Sequence, residues 1–545
     1  MLEPTGLVEA GRRAYAAADW SAALENLTAA RAEGPIAVDD VALMARSAWW
    51  LGRVPESLAF AEETFRSLCD AGRTADAAMT ALRLSLLWAT RGDVTVGMAW
   101  LNRARRILAD EPEGRAHGYL LYIDAALEMA AGGGAWTDAG VERLADFARR
   151  YPEPGIQSLS MVVAGLAALR RGDTHGGFAL LDEAMLPVLA GEIEAEWAGD
   201  IYCTIIHVSH ELADFRRMED WTRATETWCR QFGSEAIYTG ICRVHRLELR
   251  CLRGEWHEAE TMLEHESTCL AGDNAWVAGE GFYQLGEIRR LRGDADGARE
   301  AYDLARAAGI DPQPGDALLA LTTGDVAAAG AAIAASLAQR DRVARVRLLL
   351  AAVQIALAAG DRAGAGVFAD ELRESAEHFE SRGFRCWSAQ ADGMLALADA
   401  DASGALAALQ RAEADLRADN RPYELARVLG LTARAYDLAG SESAAVAART
   451  RAREILTRLG ARADPDATPR AAEAGTSGPL TAREAEVLAL VSSGASNRDV
   501  AERLFISEKT VGRHLANVYV KIGVGSRTAA AAWWHARPSN KPDLR

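Results

Sequence analysis

From its first residues to about position 460 the chain alternates apolar helical runs with short polar turns. The run ALRLSLLWAT, for example, is followed by Arg-Gly-Asp and then by the second run VGMAWLNRARRIL. A turn mark of this kind, typically Arg-Gly-Asp or Ala-Gly-Asp, recurs around Asp19, Arg53, Asp93, Ala135, Asp173, Asp214, Glu255, Asp294, Asp325, Asp361, Asp401 and Ser441. The mean spacing is about 38 residues, in the range of helical-pair repeats. A small residue often stands four positions after the acid, where two helices can approach closely. A helical pair cannot bury its own apolar face, so consecutive pairs must stack. The pattern predicts an all-α fold, with a helical-repeat superhelix over residues 1–460. Residues 461–478, ARADPDATPRAAEAGTSG by composition, have no apolar period and read as a flexible linker.

Beyond the linker the helices shorten and their starts become explicit. Thr481 with Glu484 forms a capping box, and Ser496 with Asp499 repeats it with a shorter acid. Ser507 caps a third helix and sets Glu508 in its first turn, where the dipole favours an acid. Gly494 and Gly523 suit the left-handed positions after the first and third helices. Phe505, Ile506 and Ser507 leave only a short turn between the second and third helices, which predicts a helix-turn-helix crossing. In the third helix Val511, Leu515, Val518 and Ile522 form one apolar stripe. It faces Val487, Leu488, Val491, Val500 and Leu504. Lys509, Thr510, Arg513, His514, Asn517 and Lys521 stay outside, a set suited to a major groove. The bland alternative is a solvated charged face on an ordinary helical hairpin.

The segment resembles the DNA-binding domain of the LuxR/FixJ family of transcription factors. The resemblance is carried by LT-x-RE-x-EVL from Leu480, by G-x-SN-x-x-VA at Gly494 to Ala501, and by IS-x-KTV-x-x-H at Ile506 to His514. The KIGV-x-SR tail at Lys521 to Arg527 also matches, so the likeness covers about 55 residues, a tenth of the chain. It implies a four-helix domain over 479–537, followed by a tail at 538–545. It implies contact with double-stranded DNA through Ser496, Asn497, Lys509, Thr510, Val511, Gly512, Arg513, His514, Asn517 and Lys521. The family often carries Lys or Arg at the place of Gly512, so base reading here leans on Lys509, Arg513 and Asn517. A fourth helix, opened by Ser526 and running through Trp534, is implied to join two such domains as a homodimer on DNA. Its face is Ala529, Ala530 and Trp533. The alternative is that this face packs on its own core. The repeat array, in turn, resembles the tetratricopeptide class.

Charge agrees with this division. The net charge of the chain is −17, yet residues 480–545 hold ten Lys and Arg against six Asp and Glu. The C-terminal segment is therefore +4 and the remainder −21. All three lysines, Lys509, Lys521 and Lys541, lie in that segment. DNA contact is assigned to it and not to the acidic body. The seven cysteines are scattered, with no CxxC pair, as expected of buried free thiols in a reducing compartment. The N-terminus has no apolar stretch of a signal peptide. The most apolar run, Leu348 to Ala359, is too short to span a membrane. A cytoplasmic protein without membrane contact is expected.

Candidate chemistry in the body is sparse. No G-x-x-x-x-G-K-S/T occurs and no lysine precedes Lys509, which excludes the usual phosphate loop. Large activators of the resembled family often place an ATPase before a helical-repeat domain; this chain resembles the last two parts alone. No catalytic constellation stands out, so no enzyme, no cofactor and no metal is expected. His207 and His210, with Glu211 beside them, are too few for a metal site by spacing alone. Gly132, Gly133 and Gly134 fall in the repeat rhythm as a turn. Between Trp197 and Trp276, however, stand Trp197, Trp221, Trp228, Trp256, Trp276, Tyr202, Tyr238, His207, His210, His245, His257 and His265. These either line a concave ligand surface or fill wide gaps between stacked helices. The expected function is a sequence-specific DNA-binding transcriptional regulator, its array sensing a ligand or a protein partner, with RNA polymerase as a further partner. The alternative is a repeat scaffold whose tail mainly binds protein, such as RNA polymerase or another regulator.

Overall fold

Each turn mark among the described residues is a helix stop joined to a helix start. At Gly324 the backbone takes φ +94°, a left-handed conformation that glycine adopts without a Cβ penalty, and ends the helix Gly315–Thr322. Asp325 then caps the helix Val326–Ala338 by accepting the Ala328 amide at 3.0 Å. Asp173, Asp294, Asp361 and Asp401 do the same with the amide three residues on, at 2.8–3.0 Å. Ala18, Ala213 and Ala400 enter the same left-handed region at φ 58°, 52° and 57°. A Cβ there costs on the order of 1 kcal/mol each. The chain therefore spends some local stability to keep the turn.

These marks join helices into antiparallel pairs, in a computed structural model that describes residues 4–130, 138–231, 238–272, 274–461 and 482–504, and beyond these 506–508, 510–512, 514–515, 518, 524 and 527–535. Thr74–Thr90 pairs with Val94–Leu108, Pro154–Arg170 with Thr174–Leu189, and Arg382–Ala398 with Ala402–Ala418. Each pair also packs on the next, as the stacking argument requires. Among the described residues every regular element is a helix. The described residues form an all-α array of stacked helical pairs followed by a small helical domain. By contacts the chain divides into two compact units, Met1–Pro469 and Arg470–Arg545. The expected linker lies almost wholly outside the described residues, as do the mark at Ala135 and the glycines at 132–134.

The small residue after each acid is where a pair closes. Ala23, Ala298, Ala329, Ala365, Ala405 and Ala445 are fully buried. At Gly177 an added Cβ would lie 2.6 Å from Leu169 Cγ and 2.8 Å from the Gly165 carbonyl. Met218, at the corresponding place after Asp214, is the exception: it too is buried, but as a large side chain.

Within the first unit, pairs distant in sequence also meet. The Thr174 hydroxyl donates to the Phe379 carbonyl at 2.5 Å, and the Ser381 hydroxyl to that of Leu212. The Arg421 guanidinium lies 4.1 Å from the Phe215 ring centroid, and Trp50 meets Trp228 edge to face at 6.1 Å. No helix is long and apolar enough to cross a membrane among the described residues. The run from Leu348 lies in the helix Arg342–Ala358, with Leu349, Val353 and Ile355 buried. One expectation is corrected. Cys69 and Cys269 are exposed, Cys203, Cys229 and Cys251 half-buried, and only Cys386 is buried among the described cysteines. Which side of its helix each thiol occupies decides this, and composition does not report it.

Candidate nucleic-acid interface

The C-terminal unit is built from its caps outward. Ser496 opens the helix Asn497–Leu504 with a reciprocal box: its hydroxyl accepts the Asp499 amide at 3.2 Å, and Asp499 accepts the Ser496 amide at 2.8 Å. The Ser496 hydroxyl, donating to the Asp499 carboxylate at 2.7 Å, and then the Ser496 amide hold that carboxyl below its usual range. Gly494 takes φ +96° just before, turning the chain out of the helix Ala482–Ser492. The Ser507 hydroxyl accepts the Thr510 amide at 3.1 Å and starts the third helix. Thr481, partner of Glu484 in the first expected box, lies outside the described residues, as does Gly523.

Two arginines fix the turn geometry, and neither role was read from the sequence. Arg527, in the helix Arg527–His535, donates to Asn497 Oδ1 at 2.8 Å and to the Ala495 carbonyl. Arg483 donates to the Leu504 carbonyl at 2.6 Å, closing the C-terminal end of the second helix. Asn497 thus has its carbonyl oxygen engaged inside the domain. Arg527 stands in the last matched motif, but spacing alone does not show which backbone it reaches.

Packing sorts the third helix into an inner and an outer side. Val511, Leu515 and Val518 are buried, with Val511 and Leu515 against Val487, Val491 and Val500, and Val518 against Leu488 and Ala530. Leu504 is half-buried against the first cluster. Val511 is fully buried, so its side chain contacts no external ligand; it holds the helix from inside, which corrects its place among the contact residues. Gly512 is exposed, and a Cβ built there meets nothing within 4 Å. Thr510 and His514 are half-buried, and Ser496 is exposed. Lys509, Arg513, Asn517, Lys521 and Ile522 lie outside the described residues.

The expected dimer face fares differently. Ala530 is fully buried in a cluster with Leu488 and Val518, and Trp533 packs on that cluster. Ala530 therefore belongs to the core of its own domain, and the expectation that it meets a partner is corrected. A small side chain on an amphipathic helix fits either setting, which is why sequence did not choose. The Ala529 side chain lies outside the described residues.

In the array, the aromatic and histidine-rich stretch divides. Trp197, Trp228, Trp256 and Tyr202 are buried, and the Trp256 indole donates to the Cys251 carbonyl at 2.8 Å. They fill gaps between helices. Trp276 is 39% exposed and lines a cavity of about 910 Å³ with Tyr122, Asp200, His207 and Phe379. Asp200 is raised to about 6 by burial, against a 2.5 Å hydrogen bond from the Tyr122 hydroxyl. A second cavity of about 560 Å³ is lined by His207, His210, Glu248, Glu280 and Arg347. The Tyr238 side chain lies outside the described residues.

Comparison with known proteins bears on the C-terminal unit alone. Residues 478–534 match the family described as bacterial regulatory proteins, luxR family. The transcriptional regulatory protein LiaR of Bacillus subtilis is 45% identical over 56 residues, 10% of this chain and 26% of its own. The CsgBAC operon transcriptional regulatory protein of Escherichia coli is 52% identical over 54 residues, 10% of this chain and 25% of its own. A protein of Mycobacterium bovis named as an HTH-type transcriptional regulator is 54% identical over 50 residues, 9% of this chain and 6% of its own. The chain thus spans about a quarter or less of the length of these relatives. Among solved structures, a Rap protein complexed with competence and sporulation factor aligns at a TM-score of 0.38 and 12% identity, over 72% of this chain and 98% of that one. A likeness that slight carries neither fold nor function. Residues 478–534 are a LuxR-family helix-turn-helix domain, borne behind an all-helical repeat array.

Proposed function

We propose that the protein is a sequence-specific DNA-binding transcriptional regulator whose array responds to a small ligand or a protein partner. The observation that carries the reading is the third helix of the C-terminal unit. Its start is capped by Ser507, its stripe of Val511, Leu515 and Val518 is buried, and Gly512, outside that stripe, is exposed. Lys509, Arg513 and Asn517 then fall on the outer side by helical spacing, with Arg513 the natural guanine reader. The family match over the same residues supports the reading. Ser496 and Thr510 suit phosphate contacts at helix starts, and Lys521 adds charge further along.

The array supports the sensing part through its cavities rather than its surface. A space of about 910 Å³ bordered by Trp276 and Asp200 is large enough for a small molecule. Genome-wide mapping of bound DNA, followed by footprinting of the recovered sites, tests the regulator reading. Protection of a shared short sequence is expected. Recruitment to promoters with no protected sequence would instead favour the scaffold that binds RNA polymerase or another regulator.

A further inference from the structure

Two neighbouring helices of the array present paired polar residues to each other one turn apart. Ala195–Glu211 carries His207 and His210, and Tyr238–Leu252 carries His245 and Glu248. Residues three apart on a helix share a face, so each helix aims both of its groups the same way. Facing helices with ligands at this spacing are how bundle cores build metal sites. His210, His245 and Glu248 are only 8%, 5% and 4% exposed. His210 Nε2 lies 2.8 Å from one Glu248 oxygen and His245 Nδ1 3.6 Å from the other. One donor atom of each residue lies within 4.8 Å of the other two.

Ring positions sharpen this. With metal–nitrogen bonds near 2.0–2.1 Å and tetrahedral angles, two imidazoles on one zinc ion have centroids ~5.2 Å apart. The His210 and His245 centroids are 5.3 Å apart. His207 is more distant, at 6.3 Å from His210 and 6.1 Å from His245, and lines both cavities.

The second observation is independent of spacing. Both ring nitrogens of His245 are buried without a hydrogen-bond partner. An imidazole left so costs free energy unless something unshown takes a lone pair.

We propose that His210, His245 and Glu248 hold a divalent transition-metal ion, zinc in the first instance, with a fourth position turned toward the cavity at His207. Two imidazoles and one carboxylate suit this class of ion. The inference stands apart from the DNA-binding reading. Arg347 is the competing occupant. Its Nη1 lies 2.6 Å from His210 Nε2, and its Nη2 3.6 Å from Glu248. The cluster is thus already arranged around a positive charge. The Arg347 side chain is 30% exposed at the cavity, so the ion displaces it toward Glu280, a half-buried carboxyl that lines the same cavity.

The test uses the full-length protein, stripped with a chelator and titrated with zinc alone and with cobalt alone. About one ion per chain is expected, with a rise in thermal midpoint on binding. His245→Gln and Glu248→Gln should weaken uptake by about 100-fold or more, while His257→Gln at an exposed position should match the parent. Arg347→Gln should tighten uptake. Equal binding by the His245 and His257 variants would overturn the proposal, since the ion would then sit on surface groups. If the His245 variant does not fold, the parent decides: a tetrahedral cobalt absorption band supports the site, and its absence overturns it.

Discussion

Asp361 in the array and Ser507 in the C-terminal unit perform the same local task. Each accepts the amide three residues on and opens a helix, at 2.8 Å and 3.1 Å. The two helices bury their inner sides in different settings. The helix from Arg362 buries Ala365, Ala369, Leu372 and Phe379 between its neighbours, as one more layer of a stack. The helix after Ser507 buries Val511, Leu515 and Val518 and leaves Gly512 open to solvent. A cap shows where a helix begins; burial shows which side remains for a partner. Charge follows the same split, −21 over the array side and +4 from residue 480 onward.

The largest expected effect breaks the array and spares the domain. Trp197 is fully buried, with its ring 4.5 Å from that of Tyr119. Trp197→Ala should cost about 3–5 kcal/mol in array stability. Urea unfolding followed by circular dichroism should show the main transition moving to lower denaturant. DNA affinity of the folded protein should not change. Parallel loss of affinity would mean that the two units are not independent.

The next effect reverses that pattern. Ala530→Arg forces a long cation into a fully buried position and should destabilise the C-terminal unit by about 3 kcal/mol. The array transition should stay in place. A variant that keeps a stable domain and loses only cooperative DNA binding would restore Ala530 to a dimer face.

Arg513→Ala sharpens the comparison on the outer side. If Arg513 reads a guanine edge, specific affinity should fall by about 1–3 kcal/mol and selectivity at one base should relax. Uniform weakening across all sequences would make it a phosphate contact. The smallest effect is that of the cap. Ser507→Ala should cost about 1 kcal/mol of domain stability and weaken DNA binding through helix order. An unshifted thermal transition of the C-terminal unit would count against it.

These positions also show what a sequence carries. Gly324 with Asp325, and Ser496 with Asp499, are local signals, because stop and start lie within a few residues of each other. The repeat and the helix-turn-helix crossing were legible for that reason. The His210 contact with Glu248 spans 38 positions, and the Thr174 contact with Phe379 spans 205. Such pairings are set by how helical pairs stack, which no short window records. The pair His207 and His210 drew notice in the sequence beside Glu211, yet the buried carboxylate partner of His210 is Glu248, on the next pair. Val511 stands both in the apolar stripe and in the matched motif; burial decides for the stripe, because a motif match places a residue on a helix without reporting the side it faces.

The proposed function requires above all that the third helix of the C-terminal unit, opened by Ser507, enter DNA. The most direct measurement is titration of the full-length protein against a footprinted site and an unrelated duplex over a range of salt. The account predicts saturable binding, tighter on the footprinted site, with log affinity falling linearly against log salt on both. Affinity that ignores salt, or that is equal for the two duplexes, would contradict it.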